Sequence, residues 1–183
     1  MAVAKTGSHA RLEISEEFFS ELDKELAGLE IIQRMPAVKA GMRKAGNIVA
    51  QRYRENIPRP EKRTGAKAGK KHLADTVAVK VSDYPSGKVL AVVGAQYPAG
   101  AHGHLVEEGH RQVVGGKAST GKTVTGPESV VKAMGKTGRV VGHVEGRHYL
   151  QKAVDATKGQ VEEAFRETVI AAIEQAKKGQ SGT

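Results

Sequence analysis

The sequence predicts an α+β fold: N-terminal helices, a small antiparallel β-sheet with a long hairpin-like excursion, and a long C-terminal helix packed on the sheet. Three patterns carry this. Apolar residues recur at steps of three and four before residue 58 and again after residue 148, the helical period. Between residues 76 and 94 they alternate singly or run β-branched, the strand period. Residues 100–146 hold half of the 22 glycines, which points to an extended, loop-rich stretch.

Residues 1–13 read as an N-terminal extension, a tail or a leading strand. Ser15 is a good N-cap, with Glu16 and Glu17 where the helix dipole favours anions. Phe19, Leu22, Leu26 and Leu29 then trace one helical face. Pro36 fits the first position of a second helix, whose inner face would be Val38, Met42, Ala45, Val49 and Tyr53. Pro58 and Pro60 stop it. Residues 58–72 form a basic loop almost without large apolar side chains. Thr76–Val81 and Lys88–Gly94 read as an antiparallel hairpin around Asp83–Gly87, and Leu105–Glu108 as a short strand or helical turn. Gln112–Val114 and Arg139–Val141 can pair as the two arms of an excursion over 112–146. From about His148 to Lys177 a helical stripe runs through Leu150, Val154, Val161, Ala164, Phe165, Thr168 and Ala172, and 178–183 is a tail. The expectation is one domain over 14–177.

A chain of 183 residues can bury roughly 70% of its unfolded surface, but without Trp, and with 4% aromatics, that core must be aliphatic. No Cys is present, which excludes disulfides and thiolate chemistry and fits synthesis in the cytosol. No apolar run approaches the roughly 20 residues that span a bilayer, and the first residues lack an apolar signal core, so no membrane partner is expected. A net charge of +9 and a pI of about 9.8 favour an acidic partner, nucleic acid or protein, without choosing between them.

Gly116–Thr123 matches the phosphate-cradling pattern G-x-x-x-x-G-K-[ST], which would make the chain a P-loop nucleotide-binding protein. That chemistry requires a helix directly after the loop. Gly126 and Pro127 would break its first turn, so a chance match is the better reading and no cofactor is expected. His102, His104 and His110 lie near Glu107 and Glu108, but they lack the zinc-peptidase spacing, and structural or interfacial histidines explain them better than a metal site. Adjacent acids point different ways on any regular element, so paired acid–base work is not expected. The basic set Arg59, Lys62, Arg63, Lys67, Lys70 and Lys71, preceded by Arg52 and Arg54, could meet DNA or an acidic surface. No aromatic residues interleave for base stacking. A basic nucleic-acid-binding module is therefore the alternative function.

Two short blocks stand out: Leu105-Val106-Glu107-Glu108-Gly109-His110-Arg111, and Gly146-Arg147-His148-Tyr149-Leu150 running into Ala153 and Val154. In order and spacing the chain over roughly 15–175 resembles the head–tail joining and tail-completion proteins of tailed bacteriophages, a family of minor structural tail components. Those proteins carry a Val-Glu-x-Gly-(Thr/His) block, a variable loop, then an Arg-Pro-Phe-Leu-like block leading into a C-terminal helix. His148 stands where their proline is usual and Tyr149 where phenylalanine is usual. The resemblance implies a non-enzymatic neck subunit in the virion, assembled in the host cytoplasm. It implies a homo-oligomeric ring, often six-fold, around the DNA channel, bound to the connector or stopper and to the tail terminator or tube, with non-specific DNA contact. Candidate partner contacts are Glu107, His110, Arg111, Val113, Val114, Val140 and Val141. Candidate core anchors are Tyr149, Leu150, Val154 and Phe165.

Overall fold

The computed structural model describes residues 2–6, 9–13, 31–59, 71–84, 89–117, 123–127 and 139–180. In chain order the elements are β1 (Ala2–Thr6), β2 (His9–Glu13), α1 (Ile31–Asn56), a 3-10 turn (Leu73–Thr76), β3 (Val77–Asp83), β4 (Val89–Ala95), α2 (Gly103–Glu108), β5 (Gly109–Lys117), β6 (Thr123–Pro127), β7 (Arg139–Glu145) and α3 (Tyr149–Gln180). The helix expected over 15–29 and most of the basic loop lie outside the described residues. The chain forms two compact units, one of residues 1–100 with 149–183 and one of residues 101–148.

The first unit is two helices on a four-stranded antiparallel sheet of order β1-β2-β4-β3. The expected hairpin is β3 and β4, in register from Val77↔Ala95 to Asp83↔Val89. Residues 2–6 and 9–13 are two strands of the same sheet, and β2 pairs with β4 from His9↔Gly94 to Leu12↔Ala91. Val89, Ala91, Val93 and Ala95, every second residue of β4, are buried, as the two-residue period of a strand requires.

Helix α1 begins at Ile31, five residues before the expected start, and Pro36 lies inside it. Proline removes one helical hydrogen bond, but Ile31 and Met35 are spaced in phase with Val38 and Met42, so the amphipathic pattern extends through it. Its inner face is the expected one: Val38, Met42, Ala45, Val49 and Tyr53 are all buried. The helix stops before Pro58, with Ile57 N–H donating to the Tyr53 carbonyl at 3.3 Å.

Helix α3 packs along α1 and reaches β1 and β2, while α1 covers β3 and β4. Leu150, Val154, Val161 and Phe165 are buried as expected, and Tyr149 is half-buried. Beyond Phe165 the buried positions are Val169 and Ile173; Thr168 and Ala172 are half-buried. Steps of four residues overshoot a 3.6-residue turn, so the stripe rotates around the helix. The buried Thr157 hydroxyl donates to the Ala153 carbonyl at 2.7 Å, which satisfies it inside the helix. Asn56 Nδ2 donates to the Tyr149 carbonyl at 3.0 Å and ties the end of α1 to the start of α3.

Two glycines set how closely α1 approaches its neighbours. A Cβ on Gly41 would stand 2.9 Å from Phe165 Cδ2 and 3.0 Å from Val169 Cγ2, both on α3. A Cβ on Gly46 would stand 2.6 Å from Val79 Cγ1, on the sheet.

The second unit is the short helix α2 and a three-stranded antiparallel sheet of order β6-β5-β7. The two arms expected to pair do so, with Val113↔Val140 and Val114↔Arg139. One extra residue, Val141, lies between Val140 and Gly142, which face Val113 and Gln112. The excursion over 112–146 is thus more than a glycine-rich loop: it includes β6, a third strand. Thr123-Val124-Thr125 carries a β-branched signal, but the Gly-Pro that follows disguises it.

Gly41→Ala is expected to lower stability by about 1–3 kcal/mol through overpacking against Phe165. Gly159→Ala, at an exposed α3 position with nothing within 4 Å, is expected to raise it by about 0.5–1 kcal/mol. Denaturant unfolding checks both, and gains of equal size would rule out the close α1–α3 packing. Leu150→Ala is expected to cost about 2–5 kcal/mol, read in the same way.

Candidate functional site

The two sequence blocks, separated by 34 residues (112–145), meet in the second unit. Helix α2 leaves its last carbonyls without helical partners. Val106 O accepts from Arg147 N–H at 2.8 Å and Glu107 O from His148 N–H at 3.3 Å. Each block contributes a glycine to this joint. Gly109, which caps α2, has φ 77°, and a Cβ there would collide with the Val144 carbonyl. A Cβ on Gly146 would collide with the Glu107 carbonyl. Only glycine lets both backbones come this close.

His148 has φ 51°, a region that residues with a side chain enter at a cost. Proline, whose ring holds φ near −65°, cannot stand here, and it would also lack the N–H that bonds Glu107 O. The backbone at position 148 therefore excludes proline.

Two polar side chains of the first block, Glu107 and His110, are turned to the chain's own structure. Glu107 is fully buried, so it does not present a partner surface, whereas its neighbour Glu108 is exposed. His110 Nδ1 lies 3.3 Å from the Leu105 carbonyl, and His104 Nδ1 lies 2.8 Å from the Ala101 carbonyl. A carbonyl only accepts, so in each ring Nδ1 carries the hydrogen. Of the other candidate contacts, Val113 is buried at the centre of the sheet, Val114 is half-buried, and Arg111, Val140 and Val141 are exposed. Val144, which the sequence reading passed over, is exposed beside them. Its signal in the sequence is its place in the short valine-rich run that begins with Val140-Val141.

Among the described residues, no three His, Asp or Glu side chains come together to hold a metal ion. Thr123, the last residue of the phosphate-loop match, opens strand β6 where that chemistry needs a helix; residues 118–122 lie outside the described residues.

The described arginines of the basic run are engaged within the chain. Arg52 pairs with Glu55 at 3.4 Å, Arg54 donates to the Val77 carbonyl at 2.8 Å, and Arg59 pairs with Asp75 at 2.6 Å. Lys71 is exposed; Lys62, Arg63, Lys67 and Lys70 lie outside the described residues. The hydrogen bond from Arg59 holds the Asp75 carboxyl below its ordinary range, and the one from Lys39 does the same for Asp83. A groove of about 380 Å³ runs between α1 and α3, lined by Gln51, Arg52, Glu55, Thr157 and Gln160 among others. There Glu55 accepts from both Gln51 and Arg52, so its polar groups are already paired.

No family model, no curated protein and no solved structure matches this chain.

His148→Pro is expected to cost roughly 2–3 kcal/mol, by forcing φ and removing a donor, while His148→Gly stays within about 1 kcal/mol of the parent. Thermal melts of the pair check this, and equal tolerance of both would contradict the φ at this joint. Asp75 and Asp83 have lowered native pKa values, so their contribution is whole above the ordinary value of 3.8 and is lost as pH falls through the native values. Replacing Arg59 and Lys39 together by Gln is expected to flatten the acid-side fall in melting temperature between about pH 5 and 2 at low salt. An unaltered acid limb would show that the pairs contribute nothing.

Proposed function

We propose that this chain is a structural subunit of a tailed-phage neck, a head–tail joining or tail-completion component that works by assembly and not by catalysis. In this reading copies form a ring around the DNA channel, between the connector or stopper and the tail terminator or tube. The observation that carries it is the joint between the two blocks. Val106, Glu107, Gly109 and Arg147, which belong to the blocks through which the sequence resembles that family, meet there with Gly146 and His148.

Further support comes from what the side chains do. Glu107 and His110 are spent on internal structure, while Arg111, Val140 and Val141 face solvent. A body of buried aliphatic residues with a partly apolar exposed sheet suits a subunit that gains its remaining contacts on assembly. The net charge of +9 suits a wall beside DNA, with Lys71 and its neighbours in the 60–70 segment as the non-specific contacts. Arg59, committed to Asp75, is a weaker candidate than its position in the run implied.

An early stop codon in the gene during particle production tests the function. Filled heads and finished tails that remain separate in electron micrographs, and that join when purified protein is added, are the expected result. Joined, infectious particles made without the protein would overturn it.

A further inference from the structure

The cations of α1 with described side chains are Lys39, Arg43, Lys44, Arg52 and Arg54, and its one acid is Glu55. Lys39 is spent on Asp83 at 2.7 Å, Arg52 on Glu55 at 3.4 Å, and Arg54 on the Val77 carbonyl at 2.8 Å. Arg43 and Lys44 are exposed, and among the described residues no acid pairs with either. Nor does the helix offer them one. The residues three and four positions away are Lys39, Ala40, Gly41, Gly46, Asn47 and Ile48, so Arg43 stands one turn from a like charge.

These two cations belong to a continuous face. Arg43, Lys44, Asn47 and Gln51 are all exposed and fall within an arc of about 100° around the helix. That arc lies opposite Gly41 and Gly46, the positions turned to α3 and to the sheet. Glu55 stands at its rim, already accepting from Gln51 and Arg52.

The chemistry of this face selects its partner. Between Ala40 and Gln51 it exposes no apolar side chain larger than alanine, whereas protein interfaces are anchored by buried aromatic and aliphatic groups. Nucleic-acid interfaces are instead polar and strongly positive, and Arg, Lys, Asn and Gln are the side chains that hold phosphates. No exposed aromatic is present to stack on unpaired bases. From Arg43 to Gln51 the face runs about 12 Å along a rigid helix, close to the major-groove width of about 12 Å.

We infer that the outer face of α1, through Arg43, Lys44, Asn47 and Gln51, binds the phosphate backbone of duplex DNA without reading its sequence. This deepens the function proposed above and rests on it for the duplex being DNA. Binding by the purified chain is measured apart from the joining of particles, so either reading can fail alone.

Fluorescence anisotropy of the full chain on a duplex of about 30 base pairs, over roughly 50–200 mM salt, tests the inference. R43Q/K44Q is expected to weaken binding and to reduce the slope of log affinity against log salt by about 2, the share of two phosphate contacts. K80Q/K158Q removes the same charge elsewhere. Lys80 and Lys158 are exposed, Lys80 on the face of the sheet away from α1, because its neighbour Val79 meets Gly46. This control is expected to keep the parental slope. Asn47→Glu, which adds a carboxylate mid-face and a better helix former, is expected to weaken binding severalfold. An unchanged slope in R43Q/K44Q, an equal fall in both double variants, or indifference to Asn47→Glu overturns the inference. Polyglutamate that competes as well as the duplex overturns it too, in favour of an acidic protein.

Discussion

The close approach of α1 to α3 and to the sheet is the constraint on which the first unit rests. Gly41 and Gly46 are five residues apart, which places them about 140° apart around the helix. One faces Phe165 and Val169 on α3 and the other faces Val79 and Val93 on the sheet. A glycine inside a helix costs about 1 kcal/mol relative to alanine, and α1 carries two in neighbouring turns. Contact on two sides offsets that cost, because side chains that would otherwise be held off by a methyl group pack directly on the backbone. Tyr53, Met42, Phe165 and Leu150 become the largest fully buried side chains as a result. This is how a chain without tryptophan builds a dense core.

The second unit is held by a different kind of force. Among its described residues Val113 is the only buried hydrophobic side chain. Its order comes instead from backbone hydrogen bonds: the β5–β6 and β5–β7 ladders and the two bonds from residues 147 and 148 to the end of α2. Among the described residues little apolar area stands behind those bonds, so local opening is cheaper here than in the first unit. Assembly surfaces are commonly drawn from such regions, since a partner supplies the burial that the isolated chain lacks. The exposed valines of β7 and the charges that bracket them lie in this unit. The buried aliphatic stripes lie in the other.

Much of this architecture was legible because it follows from period and punctuation. The stripes on α1 and α3, the β3–β4 hairpin and the pairing of 112–114 with 139–141 are consequences of where apolar and β-branched residues recur. The start of α1 was misplaced because a proline can be carried inside a helix when the apolar phase continues through it. Strand β6 was missed because its short β-branched run ends in Gly-Pro. Glu107 looked like a surface contact because an acidic residue usually is one, and only its buried position says otherwise.

Local chemistry reaches a few residues along the chain, so secondary structure, the helix faces and the absence of thiol chemistry can be read from residue order. Contacts across 34 intervening residues cannot. That Gly109 presses against the end of β7 and Gly146 against the end of α2, that His148 takes a backbone conformation closed to proline, and that α3 has α1 as its main neighbour depend on how separate segments are packed. These are sums of many weak contacts between distant parts of the chain, and no short window of sequence contains both sides of any of them.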